Sequence, residues 1–192
     1  VCKRLEQQMD GFFVKPNPPA TVAFIKYFIA PRVLLSESDA LFCDKFVRLM
    51  IKLKTFGFQL LDFFNQWTVM LTQSLLCCSD REARIFGTFL NAICSLVVEL
   101  RRNPAEYTKL MKDNPVFYRN YYPRNFLETE EGRQKGITFA EHADLVNGHM
   151  RWEVRLFKML ELGLKSEDWQ ERRNALLVVS KSHVNFPMSH RT

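Results

Sequence analysis

The fold class is decided by residues 79–101, whose sequence is SDREARIFGTFLNAICSLVVELR. Ser79 followed three residues later by Glu82 forms the capping-box pattern, in which the two side chains satisfy free backbone amides at the start of a helix. The apolar residues recur at helical spacing on two stripes, Phe86-Leu90-Ile93-Val97-Leu100 and Ile85-Phe89-Ala92-Leu96. Because a helix with two apolar stripes needs neighbours on two sides, we expect this one to lie between other helices.

Helical periodicity continues on both sides of this segment, and no segment alternates as a strand would. A helix is predicted over 21–30 and is expected to end at Pro31, because the residue before a proline is displaced from the helical region. Ser36 with Asp39 resembles a capping signal for the next helix. The two helices after Pro31 have apolar stripes at helical spacing: Phe42, Phe46, Leu49 and Leu53 in the first, and Leu60, Phe64, Trp67 and Leu71 in the second.

The longest predicted helix begins near Thr138. It has one unbroken apolar stripe, formed by Ala143, Val146, Met150, Val154, Phe157, Leu160 and Leu164. Shorter helices are predicted at 2–10, 104–112 and 168–181, and residues 116–136 form a long connection rich in aromatics, prolines and charges.

Long helices joined by short connections lie antiparallel to their neighbours, and successive hairpins of about 40 residues are the unit of armadillo and HEAT arrays. The sequence therefore predicts an all-α fold of stacked antiparallel helix pairs, an armadillo/HEAT-like solenoid segment. An irregular bundle stays open as the alternative, because no strict sequence repeat is present. Residues 1–19 are expected to form a short helix and a proline-rich connector, 20–187 a helical-repeat domain cut from a larger protein, and 188–192 a tail.

Composition limits the classes of function. Hydrophobic residues make up 47% and charged residues 25% of the 192, which is typical of a globular protein. No run approaches the roughly 18 apolar residues that span a bilayer, so a soluble chain without a membrane partner is expected. The five cysteines include no C-x-x-C pair, which argues against a disulfide framework or zinc site and favours the cytosol or nucleus. The net charge of +6 favours an acidic partner.

Motifs for catalysis are not found in the sequence. It has no Walker loop, dinucleotide fingerprint, H-E-x-x-H or nucleophile elbow, so we expect no enzyme activity, no cofactor and no small-molecule substrate. His142 and His149 lie among carboxylates and could in principle bind a metal. Their spacing of seven residues, rather than three or four, favours a solvated polar face instead, and no metal site is predicted.

Basic residues form two stripes that are candidates for binding a partner or RNA. The candidates are Lys45, Arg48 and Lys52 on one helix, and Arg151, Arg155, Lys158 and Lys165 on the longest helix, with Arg172 and Arg173 as an extension. Clustered cations focus potential on phosphates or acidic surfaces, although such stripes also occur as ordinary solvated helix faces. Residues 117–126, FYRNYYPRNF, interleave aromatics with arginines as single-stranded nucleic-acid binders do, or they fasten a loop to the helical body.

Several strings, taken in order, resemble the helical region of the THO complex subunit 2 family. They run from about Val22 to Pro187, and residues 118–137 match poorly. The strings are Phe24-Ile25 with Pro31-Arg32; Asp39-Ala40 with Cys43, Lys45-Phe46-Val47 and Leu53-Lys54-Thr55; Glu82-Ala83-Arg84 with Gly87 and Phe89-Leu90; Asn114-Pro115 with Phe117; and Asp168 with Arg173-Asn174-Ala175-Leu176 and Phe186-Pro187.

This resemblance implies a nuclear scaffold without chemistry of its own. Its expected partners are other THO complex subunits and a DEAD-box RNA helicase, within the machinery of messenger-RNA packaging and export. A rigid helical surface would hold the two lobes of the helicase and shift its conformational populations. The alternative is a helical module that binds RNA directly through the basic stripes and the aromatic loop.

Overall fold

The computed structural model describes residue 13 and residues 17–74, 77–120, 129 and 136–191. Within these ranges the regular elements are helices, and the only β-type pairing is one isolated antiparallel bridge between Tyr118 and Phe139. The all-α prediction is confirmed for this part of the chain. The helix predicted at 2–10 lies outside the described residues.

Eight α-helices follow one another along the described ranges. They are α1 (Pro18–Phe24), α2 (Ala30–Val33), α3 (Glu37–Lys52), α4 (Leu60–Ser74), α5 (Asp80–Arg102), α6 (Pro104–Met111), α7 (His142–Lys165) and α8 (Trp169–Ser182). A π-helix, Ile25–Ile29, joins α1 to α2, and 3₁₀ turns form at Pro115–Phe117 and Met188–Arg191.

Helix α5 lies at the centre of the fold. It packs against α3 on one side and α8 on the other, and it also contacts α6 and α7. Both predicted stripes are buried apart from Ala92, which is half-buried. The expectation of a helix between other helices is therefore confirmed.

The apolar character of α5 also meets the length and composition of a membrane span. Most of its side chains are nevertheless buried against other helices, as in the core helix of a globular domain. No other helix in the described ranges meets these criteria.

The start of α5 is fixed by the capping box that the sequence predicted. Ser79 Oγ accepts a hydrogen bond from the Glu82 amide at 3.4 Å, and the Glu82 carboxylate accepts one from the Ser79 amide at 2.8 Å. Hydrogen bonds from the backbone and hydroxyl of Ser79 lower the pKa of Glu82. The ionised carboxylate therefore helps to fix the helix start.

We expect Ser79→Ala to lower the free energy of unfolding by about 1 kcal/mol, because the first turn of α5 loses its N-cap. Urea denaturation followed by circular dichroism measures this loss. Ser180→Ala is the control, because Ser180 is an exposed serine near the end of α8 rather than at a helix start. Equal effects of the two substitutions would show that the cap contributes nothing.

The sequence predicted that the helix over 21–30 ends at Pro31, and this prediction is wrong. Helical backbone continues through Pro31 to Val33, since the π-helix before it shifts the hydrogen-bond register. The amide of Ala30 bonds to the carbonyl of Ile25, five residues back, instead of four. A π-turn changes which carbonyl faces each amide, so the chain accommodates a residue that lacks an N–H without breaking.

Helices α3 and α4 show how well the other stripes were predicted. In α4, Leu60, Phe64 and Trp67 of the predicted stripe are fully buried, and the side chain of Leu71 lies outside the described ones. In α3, Phe42 is 41% exposed, and the buried face is displaced from the predicted stripe. That face consists of Ala40, Cys43, Asp44, Val47, Met50 and Ile51.

The largest departure from the predicted stripes is in α7. The structure exposes Met150, Val154 and Phe157 of the predicted stripe, whereas Leu160 is buried. The helix instead packs against α4 and α8 through a different face. That face includes Leu145, Gly148, His149, Trp152, Glu153, Leu156 and Met159.

The end of the described chain packs on α7. Met188 is buried, and the amide and hydroxyl of Ser189 donate hydrogen bonds to the Glu153 carboxylate at 3.1 and 3.2 Å. Phe186 lies against Phe157, with ring centroids 5.0 Å apart. Residues 186–189 thus form one border of the exposed side of α7.

Candidate interaction surface

The first basic stripe lies on α3, and its central residue is held within the fold. Arg48 donates hydrogen bonds to Asp44 at 2.8 Å on its own helix, and to Glu99 at 2.6 Å and Ser95 at 2.7 Å on α5. Burial raises the pKa of Asp44, against the opposing effect of the Arg48 charge. Arg48 therefore ties α3 to α5, while Lys45 and Lys52 are exposed.

The second basic stripe, on α7, is more accessible. Arg151, Arg155, Lys158 and Lys165 are all exposed. Arg155 reaches α4 with two long hydrogen bonds of 3.4 Å to the Asn65 carbonyl and the Thr68 hydroxyl, and Lys165 pairs with Glu161 at 2.5 Å. These four cations lie along one side of one helix, as the sequence predicted.

Arg172 and Arg173 lie on α8 and both have partners in the described ranges. Arg172 donates to the Ser166 carbonyl at 2.8 Å, just before the helix start. Arg173 pairs with Asp80 at 2.6 Å and lies over the Trp169 ring, 5.7 Å from its centroid. The pair of Arg173 with Asp80 joins the start of α8 to the start of α5. Both arginines lie on α8, the helix that the sequence predicted at 168–181, rather than on α7 with the stripe.

A cleft of about 780 Å³ lies between α4, α7 and the segment after the Pro115–Phe117 turn. It brings the α7 stripe close to the start of the aromatic and arginine-rich segment, because Tyr118, Arg119, Arg151 and Trp152 all line it. Arg119 pairs with Asp144 at 2.9 Å, and Tyr118 packs edge-on against Phe139. Residues 121–126 of that segment lie outside the described residues.

The two histidines weighed as metal ligands have contacts within the fold, and the prediction of a solvated polar face is wrong for His149. His142 Nε2 lies 2.9 Å from the Arg101 carbonyl. His149 is fully buried, with the Arg101 guanidinium 3.1 Å from its Nε2 and the Glu153 carboxylate at 3.4 Å. In the described ranges no group of three His, Cys, Asp or Glu side chains is placed to hold a metal ion.

Burial lowers the pKa of His149, and the nearby charge of Arg101 lowers it further, against the opposing effect of Glu153. The unfolded chain then binds a proton that the folded chain resists. Stability is therefore complete above the ordinary histidine pKa of about 6.5 and declines as the pH falls below that value towards the lowered pKa.

We expect the free energy of unfolding to fall below about pH 6.5 by up to 1.4 kcal/mol per pH unit from this one proton. Urea denaturation at pH 7.5, 6.5 and 5.5 tests this slope. His149→Gln should flatten the slope, and His183→Gln, which replaces an exposed histidine, is the control. Identical slopes in the two variants would refute the assignment to His149.

The exposed apolar side of α7 is the feature that sequence reasoning missed. Periodicity placed Met150, Val154 and Phe157 in the core, yet they are 52%, 49% and 46% exposed. A second apolar stripe in the same helix could have indicated that the predicted stripe is not the buried one. It consists of Leu145, Trp152, Leu156 and Met159, all buried, with glycines at 148 and 163 on the same side.

The whole length of this chain is similar to known proteins of one family. A family model described as "Transcription factor/nuclear export subunit protein 2" (Tho2) matches residues 1–192, the whole chain. THO complex subunit 2 of Arabidopsis thaliana is 25% identical over 200 residues, which cover 100% of this chain and 10% of that protein. THO complex subunit 2 of Homo sapiens is 26% identical over 192 residues, which cover 97% of this chain and 12% of that protein.

The same-named protein of Mus musculus gives the same identity and coverage as the human one. This chain therefore spans about a tenth of the length of the curated relatives it matches. No solved structure matches it.

Proposed function

Because this chain belongs to the Tho2 family, we propose that it is a scaffold segment of the nuclear THO complex in messenger-RNA packaging and export. In this role it docks other THO subunits and a DEAD-box RNA helicase and performs no catalysis itself. The match of the family model to every residue of the chain is the observation that carries the proposal. The names of the relatives, each a numbered subunit of a complex, support binding to other subunits.

The fold supports a role as a rigid surface. Helix α5 lies between α3 and α8, and α4 packs against α7, so helices alternate between two packed groups along the chain. We propose that this arrangement is a segment of an armadillo/HEAT-like solenoid, in which each helix pair stacks on the next. A stiff surface of this kind can favour one arrangement of the helicase lobes over another and so shift their populations.

The α7 stripe is the docking candidate that the charges favour on this proposal. Arg151 and Arg155 are exposed on one side of α7 and can meet acidic groups of a partner, whereas Arg48 is engaged with Asp44 and Glu99. Exposed cations contribute chiefly to partner choice and association rate. Charge reversal at these two positions should therefore weaken docking without unfolding the chain.

We expect Arg151→Glu with Arg155→Glu to reduce capture of THO subunits or of the helicase from nuclear extract by about tenfold, since two attractive contacts become repulsive. Quantitative mass spectrometry of the captured proteins measures this. The control is Lys109→Glu on α6, an exposed charge away from the stripe. Unchanged capture by the double variant would contradict the choice of this stripe.

Direct RNA binding is the second candidate function. The cleft that brings Arg151 close to Tyr118 favours it, since a cation beside an aromatic ring suits a nucleotide, whereas Arg119 in the same cleft is paired with Asp144. RNA affinity of the chain should be measured at several salt concentrations. A tight affinity that falls steeply with salt supports RNA binding, and negligible binding at moderate salt supports the scaffold alone.

A further inference from the structure

Helix α7 exposes a line of apolar side chains that its contacts within the described ranges leave about half uncovered. Met150, Val154, Phe157 and Leu164 are 52%, 49%, 46% and 42% exposed, and together they form what is here called the outer face of α7. Their spacing of four, three and seven residues keeps them on one side of the helix. Contiguous exposed apolar residues of this kind, bordered by polar ones, mark interaction sites more often than scattered single ones do.

The outer face does not supply the core contacts of α7. The opposite side of α7 already has its own buried stripe, in which Trp152 stacks on Phe64 at 4.8 Å and Leu156 is fully buried. The helix is thus apolar on two sides, and only one of them packs against α4 and α8. Helices that are apolar on two sides need partners on two sides, as α5 illustrates in this same fold.

The borders of the outer face differ from one another. Arg151 and Lys158 lie along one border, and Phe186, in contact with Phe157, lies along the other. Glu161 falls within the face, but its carboxylate is paired with Lys165. Among the described side chains, the unpaired charge that an incoming partner meets is therefore positive and lies on the side of Arg151 and Lys158.

We propose that the outer face of α7 docks an amphipathic helix from another subunit of the complex, with an apolar stripe and Asp or Glu along one flank. This inference rests on the proposed scaffold function and names the kind of partner that the surface takes. Charge complementarity selects an acidic flank, which would meet Arg151 and Lys158. Apolar anchors at i, i+4 and i+7 are those of a helix that receives another helix.

The length of the face suits a helix rather than a short loop. From Met150 to Leu164 the helix rises about 21 Å, which four turns of a partner helix would cover. A one-sided charge also fixes how that helix lies, because the reverse placement would put its acidic flank against Phe186 and leave Arg151 unpaired. The surface therefore selects both the composition of the partner helix and its orientation.

Site-specific photo-crosslinking in the full-length parent protein, within its assembled complex, tests this proposal. The photoreactive residue p-benzoylphenylalanine is placed at Met150 and, as the control, at Leu162, which is 66% exposed on the same helix but off the outer face. We expect cross-links from position 150 to an acid-flanked helix of another subunit. Arg151→Glu with Lys158→Glu should reduce their yield by about tenfold.

A different occupant of the outer face would give different cross-linked products. Cross-links from position 150 to the parent chain itself, to a second copy of it or to RNA would overturn the proposal, as would yields equal to those from Leu162. If the complex assembles and these results appear, the surface assignment fails and the scaffold function stands. If the parent protein does not enter a THO complex at all, the proposed function itself fails.

Discussion

Replacing Trp152 with alanine should lower the free energy of unfolding by about 4 kcal/mol, because truncating a buried aromatic removes its transfer energy and leaves a cavity. Trp152 is 1% exposed and stacks on Phe64 with ring centroids 4.8 Å apart. Its indole N–H donates a 2.7 Å hydrogen bond to Asn65 Oδ1, so the same side chain supplies both packing and a polar link between α7 and α4.

Trp169→Ala is the matched control for this loss. Trp169 is also a tryptophan on a helix, but it is 60% exposed and its ring meets Arg173. We expect its removal to change stability by no more than about 0.5 kcal/mol. Chemical denaturation of both variants decides the matter, and comparable losses would mean that α7 does not pack on α4 through Trp152.

Replacing Gly87 with valine should lower the free energy of unfolding by about 3 kcal/mol, because α5 and α8 approach too closely to admit a side chain. A Cβ at this position would lie 2.6 Å from the Cβ of Lys181 and 3.0 Å from the Val178 carbonyl oxygen. Neither atom is the end of a flexible side chain, so the helices themselves would have to separate. The better helix propensity of valine offsets only a few tenths of a kcal/mol of this.

Arg84→Val is the control for the valine substitution itself. Arg84 is exposed on the same helix and already carries a Cβ, so valine there adds no atom at the Cβ position. Thermal and urea denaturation should show a small change for Arg84→Val and a large one for Gly87→Val. A stable Gly87→Val variant would contradict the close approach of α5 and α8.

Helix α5 was predicted well because local and tertiary signals agree there. Ser79 and Glu82 fix its start through contacts within three residues, which the sequence displays directly. Its apolar residues occupy both sides, so no choice of buried side had to be made. The two neighbours that this pattern required are present as α3 and α8.

Helix α7 was predicted correctly as a helix, and the assignment of its buried side was wrong. It has two apolar stripes, and periodicity measures spacing without saying which stripe meets the core. The structure buries the stripe with Trp152 and Gly148, where the missing side chain of Gly148 leaves room for the Trp152 ring, which packs on Phe64 of α4. Which stripe is buried depends on contacts with residues about 90 positions earlier, such as Phe64 and Asn65.

Long-range contacts also limited what could be predicted of the candidate surface. The sequence placed Lys45, Arg48 and Lys52 on one side of a helix, but it did not reveal that Arg48 bonds to Glu99 and Ser95 across α5. The α7 stripe was predicted as a stripe because its spacing is local. Its position beside the cleft and the outer face depends on how α7 packs.

The RNA-dependent ATPase rate of a DEAD-box helicase, with and without this chain, is the most direct test of whether the chemistry belongs to a partner. We expect no hydrolysis by the chain alone and a saturable, several-fold change in the helicase rate, because a bound scaffold shifts the populations of the helicase lobes. ATP hydrolysis by the chain alone would contradict the account. A helicase rate that stays constant at every chain concentration would contradict it equally.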